Sequence, residues 1–345
     1  MNFTPPFCPN EACPEHAGPR PGFWVRHGYY QPKCRRRPIA RLRCKTCRRT
    51  FSRQTFRHDY RDHRPACNAR LLGLLVSGVG LRQSARELGL GVSAVQRKFR
   101  KLGRTCRRLH RNLSGTLPAN RTFVLDEEET YEKASIRPLT MPVLIERVTY
   151  FVVATMVGPI RRLAPPGTLR RWLQDRDEDR RGPRRDRSRS CVRATLRTLR
   201  ARVGSGRICL LSDQKASYHV LAREAFGRAL EHVQVSSRLP RDTCNALFPI
   251  NLTLAMTRDN CGRLRRQSWL VTEKRRCLQL QLHLFTAYRN YVRRRHNKDA
   301  ADQTPAVLLG LLPRRLRTAE LLAWRQDWGA RSIHPTSATG TRAVG

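Results

Sequence analysis

Two close cysteine pairs, "CPNEAC" (Cys8 and Cys13) and "CKTC" (Cys44 and Cys47), constrain the start of this chain more than any other feature. C-x4-C and C-x2-C place thiolates on two tight turns, and two such turns brought face to face close a tetrahedral shell around one zinc ion. Between them "GFWVRHGYYQPKC" and "RPIARLRC" read as short strands separated by turn residues. The expectation is a zinc ribbon over residues 1–60, held by Cys8, Cys13, Cys44 and Cys47, with His16, His27 and Cys34 as alternative ligands. A segment this small has little core of its own, so metal binding supplies its folding energy.

The charge balance points to a polyanion as partner. Of 345 residues, 69 are Lys or Arg and only 26 are Asp or Glu, a formal net charge of +43. Such a field attracts phosphate backbones. The apolar stretches are interrupted by charge and fall short of a bilayer span, and "MNFTPPFCPNEAC" has neither the basic nor the apolar region of a secretory signal. A protein retained in a reducing compartment uses cysteines as metal ligands or buried thiols rather than as disulfides.

Residues 67–115 change to a helical pattern. "LRQSARELGLGVSAVQRKFRKLGR" places Ala85 four residues before Gly89 and Val95 six after it, a spacing suited to two short helices joined by a tight turn. Ser93 is positioned to cap the second helix. That helix turns Gln96, Arg97, Arg100 and Lys101 outward while Val95 and Phe99 pack inward, as a helix entering the DNA major groove requires.

From residue 120 to 298 the pattern is α/β. "TFVLD" and "RICLLSD" read as strands that each end in an acid, Asp126 and Asp213, and "LTMPVLIERVTYFVVATMVG" supplies two more strands with a turn near Arg147. The charge run "QDRDEDRRGPRRDRSRS" reads as a solvated loop. "CVRATLRTLRARV" and "TEKRRCLQLQLHLFTAYRNYVRRR" read as helices. Adjacent strand ends bring two carboxylates to one hard cation, Mg²⁺ or Mn²⁺, which suits phosphoryl chemistry. Behind Asp126, Glu127, Glu128 and Glu129 read in part as solvent-facing. Residues 299–345 hold one short helix and a disordered end.

In this order the motifs resemble a bacterial insertion-sequence transposase: "CPNEAC", "RLRCKTCRRTFSRQTFRHDYR", the helical pair, "LDEEETYE", "LSDQK", "NLTLAMTRDNCGRLRRQSWLVTEK" and "NKDAADQTPAVLLGL". More narrowly the chain is similar to the insertion-sequence-one type. That resemblance implies a multidomain protein with a zinc ribbon, a helix-turn-helix and an α/β, RNase H-like DDE catalytic domain with a mixed sheet. It implies that Asp126 and Asp213 are the first two catalytic carboxylates and Mg²⁺ or Mn²⁺ ligands. The acid expected two or three residues after Lys274 is absent, and Glu273, one residue before it, is the nearest substitute. Read as the first turn of a helix, Glu273 either reaches the metals or serves the helix dipole. The segment also implies DNA contacts by Arg258, Arg263 and Lys274. Double-stranded DNA, as element ends and target, is the implied partner, bound by a homo-oligomer at the bacterial nucleoid in the cytoplasm. The rival expectation is a DNA-binding regulator with a degenerate catalytic domain.

Overall fold

The computed structural model describes residues 3–31, 37–236, 238–240, 242–265 and 270–325. Cys34 and the terminal "SATGTRAVG" lie outside them. The chain divides into two compact units, one of residues 1–69 with 319–345, the other of residues 70–318. The sequence reading separated a helical segment from an α/β segment and set the chain's end apart. In the structure the helices and the sheet belong to one unit, and residues from 319 onward belong with the amino-terminal one.

The first unit contains a one-turn helix α1 (Pro14–Ala17) and an antiparallel sheet of β1 (Trp24–Tyr30), β2 (Ile39–Cys44) and β3 (Thr50–Phe51), in that order. Its core is small: Phe23, Leu42, Phe51 and Phe56 packed with Cys8, Cys13 and Cys44. Short strands with one buried face, bounded by Gly and Pro, give the chain little else to bury.

The second unit opens with α2 (Asn68–Val76), α3 (Leu81–Glu87) and α4 (Val92–Leu113). Gly89 makes the turn between α3 and α4 at φ +58°, where a side chain would be strained. Ala85, Val95 and Phe99 are buried beside it. The second helix is not short: its 22 residues extend about 33 Å. Nor does Ser93 cap it. Gly91 is the N-cap, with no side-chain cap bond, and Ser93 sits exposed in the first turn. Gly103 lets α4 approach the later helix α9 (Arg275–Tyr291), because a Cβ there would lie 2.9 Å from Leu280 Cβ and 3.1 Å from its carbonyl oxygen. Gly103→Val is therefore expected to destabilise the unit by about 1–3 kcal/mol through overpacking. An unchanged denaturation midpoint would contradict that close approach.

The α/β part is built on β4 (Thr122–Tyr131), β5 (Pro138–Glu146), β6 (Val152–Thr155), β7 (Gly158–Pro159), β8 (Ile208–Ser212) and β9 (Leu230–Gln234). The sheet order is β6-β5-β4-β8-β9, with β7 on β5. β4 to β6 run antiparallel to one another, whereas β4, β8 and β9 are parallel. This is an α/β chain with a mixed sheet and a separate small antiparallel sheet. Helices α5 (Leu169–Arg181), α6 (Ser188–Val203) and α7 (Ala216–Phe226) connect the strands, followed by α8 (Phe248–Asn260), α9, and the one-turn helices α10 (Pro305–Leu308) and α11 (Thr318–Ala323). One sheet face buries Val124, Val143 and Ile145 against Ile250 and Leu254 of α8 and Leu282 of α9.

The charge run is not a loop in its first half. Helix α5 covers it because Thr168 caps the helix through a hydroxyl that accepts from Arg171 N at 3.2 Å, and because Arg171–Asp175 and Arg181–Asp177 pair one turn apart. Gly182, at φ +76°, ends it. No helix among the described residues is long and apolar enough to cross a membrane.

Candidate functional site

Cys8, Cys13, Cys44 and Cys47 converge as their spacing predicts. Their four sulfur atoms lie within 4.8 Å of one another. The Sγ–Sγ separation is 3.7 Å for Cys8 and Cys47 and 3.9 Å for Cys13 and Cys44. A tetrahedral zinc with Zn–S of about 2.3 Å requires sulfur atoms about 3.8 Å apart, so the four thiols fit a structural metal such as zinc. Burial pushes the thiols of Cys8 and Cys13 up, whereas at Cys47 the same effect is outweighed by hydrogen bonds, led by that from the Arg49 backbone, and its pKa falls to about 7. Buried Glu15 joins the two turns: it accepts from Arg20 N at 2.8 Å and from Thr46 Oγ1 at 2.9 Å. His16 donates through Nδ1 to the Cys8 carbonyl at 2.7 Å and so orients the loop instead of joining the four; His27 is exposed on β1.

The acidic stretch has a different geometry from the one its sequence suggests. Asp126 does not end a strand. β4 continues to Tyr131 because β5 pairs with it along its whole length, as far as Tyr131↔Pro138. What ends beside Asp126 is the parallel ladder with β8, whose last pair is Leu125↔Ser212. Asp126 and Asp213 are the residues that directly follow this last pair on their two segments. Both residues are half-buried. Asp213 Oδ1 accepts from Lys215 N at 3.0 Å and starts the turn into α7.

The neighbouring glutamates alternate between the two faces of the sheet and each holds a cation. Glu127 faces α6 and α7, where it pairs with Lys215 and accepts from Thr140 Oγ1 at 2.7 Å, Tyr218 Oη at 2.9 Å and Ser188 Oγ at 3.0 Å. Burial raises its pKa, but Lys215 and the hydroxyls outweigh burial and hold it below the usual carboxylate range. Tyr218 is pushed up, first by burial and then by Glu127, Asp126 and Asp213. On the other face Glu128 pairs with Arg258 of α8, and Glu129, back on the face of Glu127, pairs with Arg162. Arg258, expected to contact DNA, is thus tied to the sheet. None of these glutamates is a spare charge at a strand end.

Glu273 is exposed and precedes α9, whose N-cap is Lys274. It is not in the first turn of a helix, because Thr272 bridges to Glu132 and keeps this stretch extended, and Glu132 Oε1 accepts from Arg275 N at 2.9 Å. Glu273 lines a cavity of about 520 Å³ with Lys274, Arg263, Gln83, Gln96 and Arg100. Arg263 is half-buried, with its guanidinium 5.5 Å from the Phe99 ring centroid. Among the described residues the four cysteines are the only set of three or more His, Cys, Asp or Glu side chains with ligand atoms clustered this tightly, so no third group joins Asp126 and Asp213 there. On α4, Ser93, Gln96 and Arg97 are exposed, and Arg100 and Lys101 half-exposed. The basic face continues through Arg104, Arg107, Arg108 and Arg111 to the last turn.

No protein-family model matches the chain, and no curated protein matches it. The residues that sequence reasoning missed are Glu127, Lys215 and Tyr218. The signal available for them was the two-residue alternation along β4, which puts Glu127 on the opposite face from Asp126.

Proposed function

We propose that this chain is a DNA transposase of the insertion-sequence kind, in which an RNase H-like domain carries the chemistry and the zinc-ribbon and helix-turn-helix segments bind the element ends. The observation that carries this reading is the position of Asp126 beside Asp213, where the β4–β8 parallel ladder ends. Open α/β sheets bind their ligands beyond the carboxyl ends of parallel strands. Mg²⁺ needs only one or two carboxylates when water and substrate phosphates complete its shell, so the pair fits one such ion. Bound there, it would supply Lewis-acid activation of a phosphate and of the attacking hydroxyl. The protein's own part is to fix the two carboxylates through strand register and to place Lys215 and the basic face of α4 in the same unit. The net charge of +43 supports a DNA partner, and assembly of two or more copies on DNA at the nucleoid accords with the same reading.

The test is Mn²⁺-dependent nicking and strand transfer by the purified chain on DNA carrying the element ends. Activity is expected in the wild type and lost in Asp126→Ala and in Asp213→Ala, with DNA binding retained. Strand transfer that survives either substitution would refute the assignment.

A second reading is a DNA-binding regulator whose catalytic domain is inactive. It is favoured by the placement of Glu273 on the cavity shared with α3 and α4 and by the lack, among the described residues, of a third clustered ligand beside Asp126 and Asp213. Binding to end sequences without cleavage by the wild type, under any divalent ion, would select it.

A further inference from the structure

Two histidines from different elements of the larger unit face each other: His219 on α7, which is exposed, and His232 on the edge strand β9, which is half-buried. Their Nδ1 atoms are 3.3 Å apart, whereas the ring centroids are 5.5 Å apart with the planes inclined by 21°. Because the nitrogens are so much closer than the centroids, each ring turns its Nδ1 edge towards the other, and the two lone-pair positions point into one space. The separation is long for a hydrogen bond, whose heavy atoms ordinarily lie about 2.7–3.2 Å apart. It matches a shared metal: two nitrogens bound to a tetrahedral zinc, each about 2.0–2.1 Å from the ion, are about 3.3–3.4 Å from one another.

Buried Ser212 at the end of β8 supplies an independent observation. Its hydroxyl donates to the Asp213 carbonyl at 2.8 Å, which uses its one proton. In its 2.9 Å contact with His232 Nε2 the hydroxyl therefore accepts and the ring donates. A neutral His232 with its proton on Nε2 has the lone pair on Nδ1, the atom that faces His219. Metal-ligating histidines are ordinarily held in this way, by a hydrogen bond donated from the other ring nitrogen that fixes both the tautomer and the ring orientation.

We propose that His219 and His232 form a two-histidine site for a zinc ion, bound through their Nδ1 atoms and tying α7 to β9, with Ser212 as the residue that fixes the His232 tautomer. Imidazole nitrogen suits Zn²⁺, whereas Mg²⁺ takes oxygen ligands. The exposure of His219 leaves the remaining coordination positions to water or to an oxygen ligand from solution. Arg223, one turn along α7, is close enough to act on His232 and opposes a further cation, so the ion binds more weakly here than at the four cysteines. The site is separate from the Asp126 and Asp213 carboxylates and does not rest on the transposase reading.

The test is calorimetric titration of Zn²⁺ into the full chain with its four cysteines already loaded, at neutral pH. One further zinc per chain is expected in the wild type and in Asp126→Ala, and none in His219→Ala or His232→Ala. His219 is exposed, so its replacement keeps the test decisive if His232→Ala fails to fold. Ser212→Ala retains both ligands and should weaken the further zinc about 10–100-fold, the usual cost of losing the group that holds a ligating histidine. No further zinc in the wild type, or a further zinc that persists in His219→Ala, would overturn the proposal and leave only adventitious binding. Loss of the further zinc in Asp126→Ala would place the ion on the carboxylates and overturn it equally, as would a Ser212→Ala variant that binds as tightly as the wild type.

Discussion

Removing zinc with a chelator, or replacing Cys44 by Ser, is expected to unfold the amino-terminal unit while leaving the larger unit folded. The cysteine-bearing part of the smaller unit has strands of seven, six and two residues around a core of a few phenylalanines and one leucine. Cores of that size do not outweigh chain entropy, and thiolate–zinc bonds are worth about 10–16 kcal/mol in comparable small domains. The cluster has three of its four thiols buried, so without metal it would place polar sulfhydryls where only weak hydrogen bonds satisfy them. Zinc per chain should be one in the wild type and near zero in Cys44→Ser, and limited proteolysis of the chelated protein should digest residues 3–60 first. Because binding requires thiolates and burial raises Cys8 and Cys13, zinc affinity should fall as pH is lowered. A chelated protein whose amino-terminal unit still resists protease would show that its aromatic core suffices alone.

Replacing Glu127 by Ala should have the largest effect on stability in the sheet unit. The side chain is 6% exposed and joins a strand, two helices and the loop before α7 through one carboxylate. Its removal leaves the hydroxyls of Thr140, Ser188 and buried Tyr218 without their acceptor, and leaves Lys215 without its partner. Lys215 is 42% exposed and can turn to water, so the loss falls short of that for a fully buried pair: about 2–4 kcal/mol. Glu127→Gln keeps one acceptor and should cost less. The folded-state pKa of Glu127 is depressed, so its contribution is present above the unfolded carboxylate value of about 4.3 and is lost as pH falls through the folded value. Chemical denaturation of wild type and Glu127→Gln should therefore show a gap at pH 7 that narrows below about pH 4. A gap independent of pH would mean that the carboxylate charge does not contribute.

These two sites were legible in the sequence to different degrees. The cysteine cluster was readable because its ligands come in pairs within single turns, so spacing alone carries the geometry. The turn at Gly89 and the buried Val95 and Phe99 were readable for the same local reason. Asp126 and Asp213 were noticed as acids closing apolar runs, but their relation is set by the parallel pairing of β4 with β8, which no local signal encodes. The partners of the glutamates are farther still: Lys215 is 88 residues from Glu127, and Arg258 is 130 from Glu128. With 69 basic residues in the chain, composition cannot say which cation an acid will meet. Helix α5 departs from the sequence expectation because a dense charge run reads as solvated, although opposite charges one turn apart stabilise a helix. Glu273 was misread as helical because the bridge from Thr272 to Glu132 is a tertiary contact.

The amino-terminal unit also contains residues from 319 onward, among them the fully buried Trp324 and Leu321 and the guanidinium of Arg325, 5.5 Å from the Phe3 ring centroid. That assignment imposes an order in time. A ribosome delivers Cys8 to Cys47 well before Trp324, which follows after about 280 further residues, roughly 14–55 s later at ordinary elongation rates. Through most of that interval the four thiols are out of the tunnel and can take up metal, yet the unit they belong to is not yet complete. The earlier segment thus waits on a later one, and a chain interrupted before residue 319 would carry the four cysteines without the residues that complete their unit.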